Sequence, residues 1–122
     1  LSGNCAERFL GIDPSGDVYP CGRWTGEEKF RYGNINETPL KEILESKKRQ
    51  DLIKRKEIMN SGECKPCNWK DLCNSGCMHN AYAANGTPFS RDIYCESIKM
   101  LNDHISQQID SQLMLAQYEG GV

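Results

Sequence analysis

Seven cysteines constrain this chain more than any other feature of its sequence. Cys5 and Cys21 lie near the start, and five more follow in the order Cys64-x2-Cys67-x5-Cys73-x3-Cys77-x17-Cys95. An odd number of cysteines leaves one thiol over in any framework built only of disulfides. The 122 residues are only 38% hydrophobic, and small chains with a thin core usually need disulfides or metals for stability. The cysteines are therefore candidate metal ligands.

The rest of the sequence indicates the cellular compartment. The opening Leu1-Ser2-Gly3-Asn4 carries no secretory signal, and it lacks an initiator methionine, which predicts a fragment of a longer protein. The sequence has no run of roughly 18 apolar residues that would span a membrane. In a reducing compartment, clustered cysteines are more often metal ligands than disulfides. We expect a cytoplasmic protein that is not associated with a membrane.

The charge is balanced, with 15 basic and 17 acidic residues and a net charge of −2. This balance offers no electrostatic basis for binding nucleic acid. The basic residues concentrate in two short runs, Lys47-Lys48-Arg49 and Lys54-Arg55-Lys56, interleaved with acidic residues. Such a pattern is typical of a solvated helix face.

The sequence predicts a small α+β domain, residues 1–122, organised by metal clusters more than by an apolar core. Residues 8–12 and 18–21 favour strands and flank a turn containing Pro14 and Gly16, which predicts an N-terminal β-hairpin with Cys5 and Cys21 towards one end. Residues 30–35 are expected to add a short third strand.

Two short helices are predicted next. Thr38 is the expected N-cap of the first, with Pro39 at its first helical position. The second is expected from about residue 48 to residue 60, where Asn60-Ser61-Gly62 ends it. Residues 64–77 are too rich in Cys, Gly and Asn for regular structure, so we expect a ligand loop there.

The last segment has the period of an amphipathic helix. Apolar residues recur every three or four positions at Ile98, Leu101, Ile105, Ile109 and Leu113. We predict a C-terminal helix from about residue 94 to residue 117, with Cys95 in its first turn, where the helix dipole favours a thiolate.

Iron–sulfur chemistry explains the number of cysteines. A [4Fe–4S] cubane takes up to four thiolates, one for each iron. Seven thiolates therefore suit two cubanes, one fully ligated and one short of a ligand.

The spacing resembles that of the SPASM family, the auxiliary-cluster domain of radical S-adenosylmethionine enzymes such as anaerobic sulfatase-maturating enzymes and sactipeptide or thioether maturases. The family pattern Cys-x(9–15)-Gly-x4-Cys, a gap, then Cys-x2-Cys-x5-Cys-x3-Cys-x17-Cys is met from Cys5 to Cys95. Flanking residues agree at Gly16-Asp17-Val18-Tyr19-Pro20-Cys21 and at Leu72-Cys73-Asn74-Ser75-Gly76-Cys77. The resemblance covers about residues 5–105, followed by a helical tail at 106–122.

The resemblance implies a ligand set for each cluster. One set, which we call the four-cysteine group, would fully ligate the outer cluster: Cys64, Cys67, Cys73 and Cys95. The other, the three-cysteine group, matches the cluster nearer the catalytic barrel: Cys5, Cys21 and Cys77. No further cysteine lies between Cys5 and Cys21, so the fourth position of that cluster is open or filled by a non-cysteine group or by substrate.

The resemblance also implies partners that this chain lacks. Radical S-adenosylmethionine chemistry needs a Cys-x3-Cys-x2-Cys triad, which is absent here. A catalytic barrel with S-adenosylmethionine and a third [4Fe–4S] cluster is therefore expected upstream. A peptide or protein substrate and an electron donor such as flavodoxin or ferredoxin complete the expectation, in an anaerobic bacterium. This domain would relay an electron and help position the substrate.

Two other functions stay open. The four-cysteine group has the composition of a structural zinc site, either as the biological state or as an artefact of handling in air. A stand-alone ferredoxin is the second alternative, although the usual ferredoxin spacings are absent. His79 is a candidate ligand or proton donor or, alternatively, a surface group or a neighbour of the ligands. Trp24 and Trp69 are expected to pack around the clusters. Asp13 and Asp17 are turn residues or, alternatively, one supplies a carboxylate ligand.

Overall fold

The fold is described by a computed structural model that covers residues 5–120. The opening tetrapeptide, on which the absence of a secretory signal rests, and residues 121–122 lie outside that range. The architecture is the predicted small α+β domain, with a three-stranded sheet near the N-terminus and a long helix at the C-terminus.

The sheet is antiparallel, with strand order β1-β2-β3. Its strands are β1 (Gly11–Ile12), β2 (Asp17–Tyr19) and β3 (Gly33–Asn34). In the register, Ile12 lies opposite Val18, and Val18 lies opposite Gly33. Both the predicted hairpin and the third strand are confirmed.

The turn between β1 and β2 is closed by Asp13. Its carboxylate accepts hydrogen bonds from the backbone N–H groups of Ser15 (2.9 Å) and Asp17 (3.0 Å), which is an ordinary role for aspartate in a turn. Gly16 adopts φ +92°, and a Cβ there would lie 2.5 Å from the Asn36 side chain. The turn therefore requires glycine for both its conformation and its space.

Seven α-helices lie within residues 5–120: α1 (Cys5–Arg8), α2 (Leu40–Leu44), α3 (Lys47–Ile53), α4 (Arg55–Ser61), α5 (Lys70–Cys73), α6 (Met78–Asn85) and α7 (Cys95–Glu119). Short 3₁₀ helices at Gly22–Trp24 and Glu28–Phe30 join β2 to β3. Helix α7 confirms the predicted C-terminal helix and begins at Cys95.

Several helices differ from their predictions. Pro39 has ψ 139° and is the N-cap of α2, so the helix begins one residue later than expected. The single helix predicted over 48–60 is two helices, because Lys54 has ψ −12° instead of the helical value near −42°. The expected irregular loop contains the one-turn helix α5, and α6, which directly follows that loop, was not predicted.

The core is small and lies between the sheet and α2, α3 and α6. Its buried members are Ala6, Val18, Tyr19, Trp24, Phe30, Tyr32, Ile43, Leu52 and Met78. Trp24 is its centre, with ring-centroid distances of 4.2 Å to Phe30 and 5.2 Å to Tyr82. The Trp24 and His79 rings are nearly perpendicular, and their centroids lie 4.9 Å apart. This cluster ties the segment after Cys21 to the helix after Cys77.

Helix α7 is the least buried element. None of its residues 95–119 is buried, and Leu101, Ile105, Ile109 and Leu113 of the predicted apolar stripe are all exposed. The accessible surface of the chain is 8146 Å², against about 6,600 Å² expected for a compact 13.8 kDa monomer. A protruding helix accounts for such an excess. Despite its length, α7 is too polar to cross a membrane, and no other helix of residues 5–120 qualifies.

Candidate metal centres

The four-cysteine group lines one cavity of about 150 Å³. Cys64 follows α4, Cys67 lies in the next turn, Cys73 ends α5 and Cys95 begins α7. The turn is tight, because the Cys67 N–H donates to the Cys64 carbonyl at 3.0 Å. Trp69 also lines the cavity, and its indole N–H donates to Asp103 of α7 at 2.8 Å. The loop and the long helix therefore enclose the cavity together.

The thiols of this group influence one another. Burial raises the pKa of Cys73, a hydrogen bond from the Gly76 backbone N–H opposes it, and negative charge on Cys95, Cys64 and Cys67 raises it further. Thiols that repel each other when ionised are suited to a cation, since metal ligation requires the deprotonated form.

The three-cysteine group also comes together. Cys5 begins α1, Cys21 ends the segment after β2, and Cys77 precedes α6. Although Cys5 as a whole residue is exposed, partial burial of its thiol raises the pKa of Cys5, and the nearby charges of Cys77 and Cys21 raise it further. Cys5 is exposed, whereas Cys21 and Cys77 are half-buried, so this group opens to the surface.

A run of left-handed residues lies between Cys73 of the four-cysteine group and Cys77 of the three-cysteine group. Between Cys73 and Cys77, the φ angles are +52° at Asn74, +66° at Ser75 and +68° at Gly76. A serine in this region is uncommon and costs conformational energy. The unusual backbone lets two cysteines four positions apart serve different groups.

Arg55 holds this run in place. Its guanidinium donates to the carbonyl oxygens of Asn74 (3.3 Å), Ser75 (2.9 Å) and Gly76 (3.3 Å). It also donates to the carbonyls of Pro88 and Ser90, so five backbone acceptors surround it. Arg55 is only 4% exposed, which corrects the expectation that the run Lys54-Arg55-Lys56 is a solvated face. Burial lowers its pKa, while the nearby Cys64, Cys77, Asp92 and Cys5 oppose that shift.

Asp92 is the second buried charge between the groups. Its carboxylate accepts from the Cys77 N–H at 2.8 Å and from the Tyr94 N–H at 2.9 Å, just before α7 begins. A Cβ on Gly76 would overlap the Asp92 side chain. Asp92 therefore fixes the backbone beside Cys77 and the start of the helix that carries Cys95.

Each group also has a guanidinium beside it. Arg23 donates to the Cys77 sulfur at 3.3 Å. Arg91 lies beside Cys95, whose negative charge is the main cause of the raised pKa of Arg91. Neither Arg23, Arg55, Arg91 nor Asp92 was predicted as part of the site. The sequence does contain a pattern that could have predicted the burial of Arg55. Leu52, Arg55 and Met59 are three and four positions apart, which places them on one helix face, and all three are buried.

The remaining expectations concern neighbouring residues. Asp13 and Asp17 serve the hairpin turn and its pairing with Asn34 and Arg31. His79 packs against Trp24, and burial lowers its pKa. The possible non-cysteine ligand of the three-cysteine group stays a prediction.

The donor set fits iron–sulfur ligation. All seven cysteines are free thiols, and four of them border a shared cavity. Among residues 5–120, no three His, Cys, Asp or Glu side chains converge closely enough to enclose a single metal ion. In a cubane each thiolate binds a different iron, so its ligands need only surround a common space.

Comparison with models of known protein families gives a match to the first part of the chain. A family model named SPASM and described as an iron–sulfur cluster-binding domain matches residues 5–68, which is more than half of the chain.

Curated relatives include two anaerobic maturases. A cysteine-type anaerobic sulfatase-maturating enzyme of Clostridium perfringens is 32% identical over 99 residues, which cover 81% of this chain and 26% of the relative. The enzyme of the same name from Clostridium novyi is 35% identical over 101 residues, with the same coverage. The PqqA peptide cyclase of Gluconobacter oxydans is 24% identical over 111 residues, or 91% of this chain and 30% of that protein.

The chain thus spans about a quarter of the length of the first two relatives. No solved structure matches it.

Proposed function

This chain belongs to the SPASM family of iron–sulfur cluster-binding domains, and from that premise we propose that its seven cysteines hold two [4Fe–4S] clusters. The four-cysteine group would ligate one cluster fully, and the three-cysteine group would ligate the other with one iron lacking a cysteine. One observation carries the proposal, namely that the seven thiols divide in space into two groups whose members interleave in sequence.

The residues of the chain would supply thiolate ligands to the clusters, shield the clusters from water and place positive charge near them. Bound clusters of this type accept and donate single electrons. Trp69 covers one side of the four-cysteine cavity, and exclusion of water is one way a protein sets a reduction potential. Arg55 supplies a buried positive charge near members of both groups, which offsets part of the negative charge that thiolates bring.

For the whole protein, we propose a radical S-adenosylmethionine enzyme that modifies a peptide or protein. The relatives support this, since they are named as a sulfatase-maturating enzyme and a peptide cyclase. The catalytic barrel of the whole protein, with S-adenosylmethionine and a third cluster, would lie outside this chain, in a region that corresponds to the part of those relatives that the chain does not match. A flavodoxin or ferredoxin would supply electrons, and the compartment would be the cytoplasm.

The test of the proposed function is metal content after anaerobic reconstitution. We expect the chain to hold about eight irons and eight sulfides, which is two cubanes of four irons each. A single tightly held zinc without sulfide under those conditions would instead support the structural zinc alternative at the four-cysteine group. About four irons with four sulfides would reduce the proposal to one cluster.

A further inference from the structure

Cys77 is held at both its backbone and its sulfur. Its N–H donates to the Asp92 carboxylate at 2.8 Å, and its sulfur accepts from the Arg23 guanidinium at 3.3 Å. The Asp92 contact fixes the backbone of Cys77, and the contact from the exposed Arg23 side chain favours one direction of its sulfur.

Arg23 contacts Cys77 from a segment that is distant in the sequence. It lies in the short 3₁₀ helix Gly22–Trp24, directly after Cys21, so one segment carries both a proposed ligand and the cation that contacts another. The next residue, Trp24, is fully buried and anchors this helix in the core. The position of Arg23 thus follows from the packing of its neighbour.

The guanidinium itself is fixed by Asn80. Arg23 donates to the Asn80 side-chain oxygen at 2.8 Å, and the Asn80 amide nitrogen donates to both carboxylate oxygens of Asp92, at 3.2 and 3.0 Å. Since Asp92 also accepts from the Cys77 N–H, these four residues form a closed circuit of hydrogen bonds. The circuit uses the amide in one orientation only, because its oxygen must face the cation and its nitrogen the carboxylate.

Resting on the proposed function, we propose that Arg23 is a positioning residue for the Cys77 thiolate and that its guanidinium raises the reduction potential of the cluster bound by the three-cysteine group. Reduction adds negative charge to a cluster, and a cation in hydrogen-bond contact with a ligand sulfur favours the more negative state. Hydrogen bonds to cluster sulfurs are a recognised determinant of reduction potential.

The four-cysteine group provides an internal comparison. Arg91 lies beside Cys95, but it also forms ion pairs with Glu63 at 3.2 Å and Glu96 at 3.8 Å, so its positive charge is largely offset. Within residues 5–120, the hydrogen-bond acceptors of the Arg23 side chain are the Cys77 sulfur and the Asn80 amide oxygen, and neither is a carboxylate. The effect of Arg23 should therefore be specific to one cluster and larger than that of Arg91.

The experiment compares Arg23→Gln with the wild-type chain, both reconstituted anaerobically and titrated for their reduction potentials. We expect unchanged iron and sulfide, a more negative potential for the three-cysteine cluster, and an unchanged potential for the other. Arg23→Lys keeps the charge without the planar fork and should shift the potential less. Arg31→Gln is the matched control, because it removes a guanidinium that pairs with Glu28 and Asp17 and should leave both potentials unchanged.

The outcomes separate this inference from the function on which it rests. A wild-type chain that takes up no sulfide overturns both. If the wild-type chain holds two clusters and Arg23→Gln leaves both reduction potentials unchanged, the inference is overturned and the proposed function stands. Should Arg23→Gln fail to hold the cluster, Asn80→Ala decides, since it keeps Arg23 and removes the acceptor that fixes it. A more negative potential in that variant supports the inference, and an unchanged one overturns it.

Discussion

Arg55 lies between Lys54 and Lys56, neither of which is buried, yet its own side chain is packed against five carbonyl oxygens. Composition cannot distinguish these three cations. What distinguishes them is their position on the helix, because Arg55 shares a face with Leu52 and Met59. A guanidinium presents five N–H donors in a fixed plane, which suits a ring of carbonyls better than an ammonium group does.

We expect Arg55→Lys to destabilise the fold, even though it keeps the charge. Lysine has three donors, so at least two of the five carbonyls would lose their partner, at about 1–3 kcal/mol for each buried unsatisfied group. For two such groups the predicted loss in the free energy of unfolding is on the order of 2–6 kcal/mol, measured by anaerobic urea denaturation. Arg31→Lys, at a partly exposed ion pair, is the control and should cost less than about 1 kcal/mol. Equal losses in both variants would show that the carbonyl ring contributes little.

Among the elements, those with a strong period or a strong turn signal were predicted well. The hairpin around Asp13 and Gly16 and the helix beginning at Cys95 are present as expected. Helix α6 was missed because Met78-His79-Asn80-Ala81-Tyr82 has no clear apolar period; its burial depends on Trp24 and Phe30, which are distant in sequence. The cysteine spacing identified the candidate ligands. It does not predict Arg23, Arg55 or Asp92, which hold the ligands and the backbone around them in place.

Because the two cysteine groups interleave in the sequence but are proposed to bind different clusters, substitutions in the two groups should damage different clusters. Cys67→Ala removes a thiol from the four-cysteine group, and Cys21→Ala removes one from the three-cysteine group. Each variant should lose about four irons and retain the spectrum that the other loses. Electron paramagnetic resonance of the reduced variants checks this. If both substitutions abolish the same signal, the division of ligands is wrong.

The stability of the whole molecule depends on its apolar core and on its two cysteine groups. The buried apolar cluster is small, and the long helix adds nothing buried to it. Segments that are far apart in sequence also meet at the two cysteine groups, which join α1, the hairpin, the loop and α7. Metal ligation between distant segments is coupled to folding.

Removal of the clusters should therefore loosen the whole domain. We expect the thermal midpoint of the metal-free chain to fall by more than about 10 °C relative to the loaded chain, equivalent to about 2 kcal/mol. Far-ultraviolet circular dichroism, which reports the helices, should give the midpoint of both samples, because the absorption bands of the clusters overlap the near-ultraviolet signal of the aromatic residues. Identical midpoints with and without iron would mean that the apolar core alone maintains the fold.

The carbonyl ring around Arg55 also has a consequence for biosynthesis. Its acceptors lie 19 to 35 residues further along the chain, and the last of them is Ser90. On a ribosome the ring cannot close until Ser90 has left the exit tunnel, and contacts of such long sequence separation form late. Six of the seven cysteines precede Ser90 and are thus translated before the ring can close around Arg55. Iron delivery is accordingly expected after translation of the chain, when the left-handed run can direct Cys73 and Cys77 to different sites.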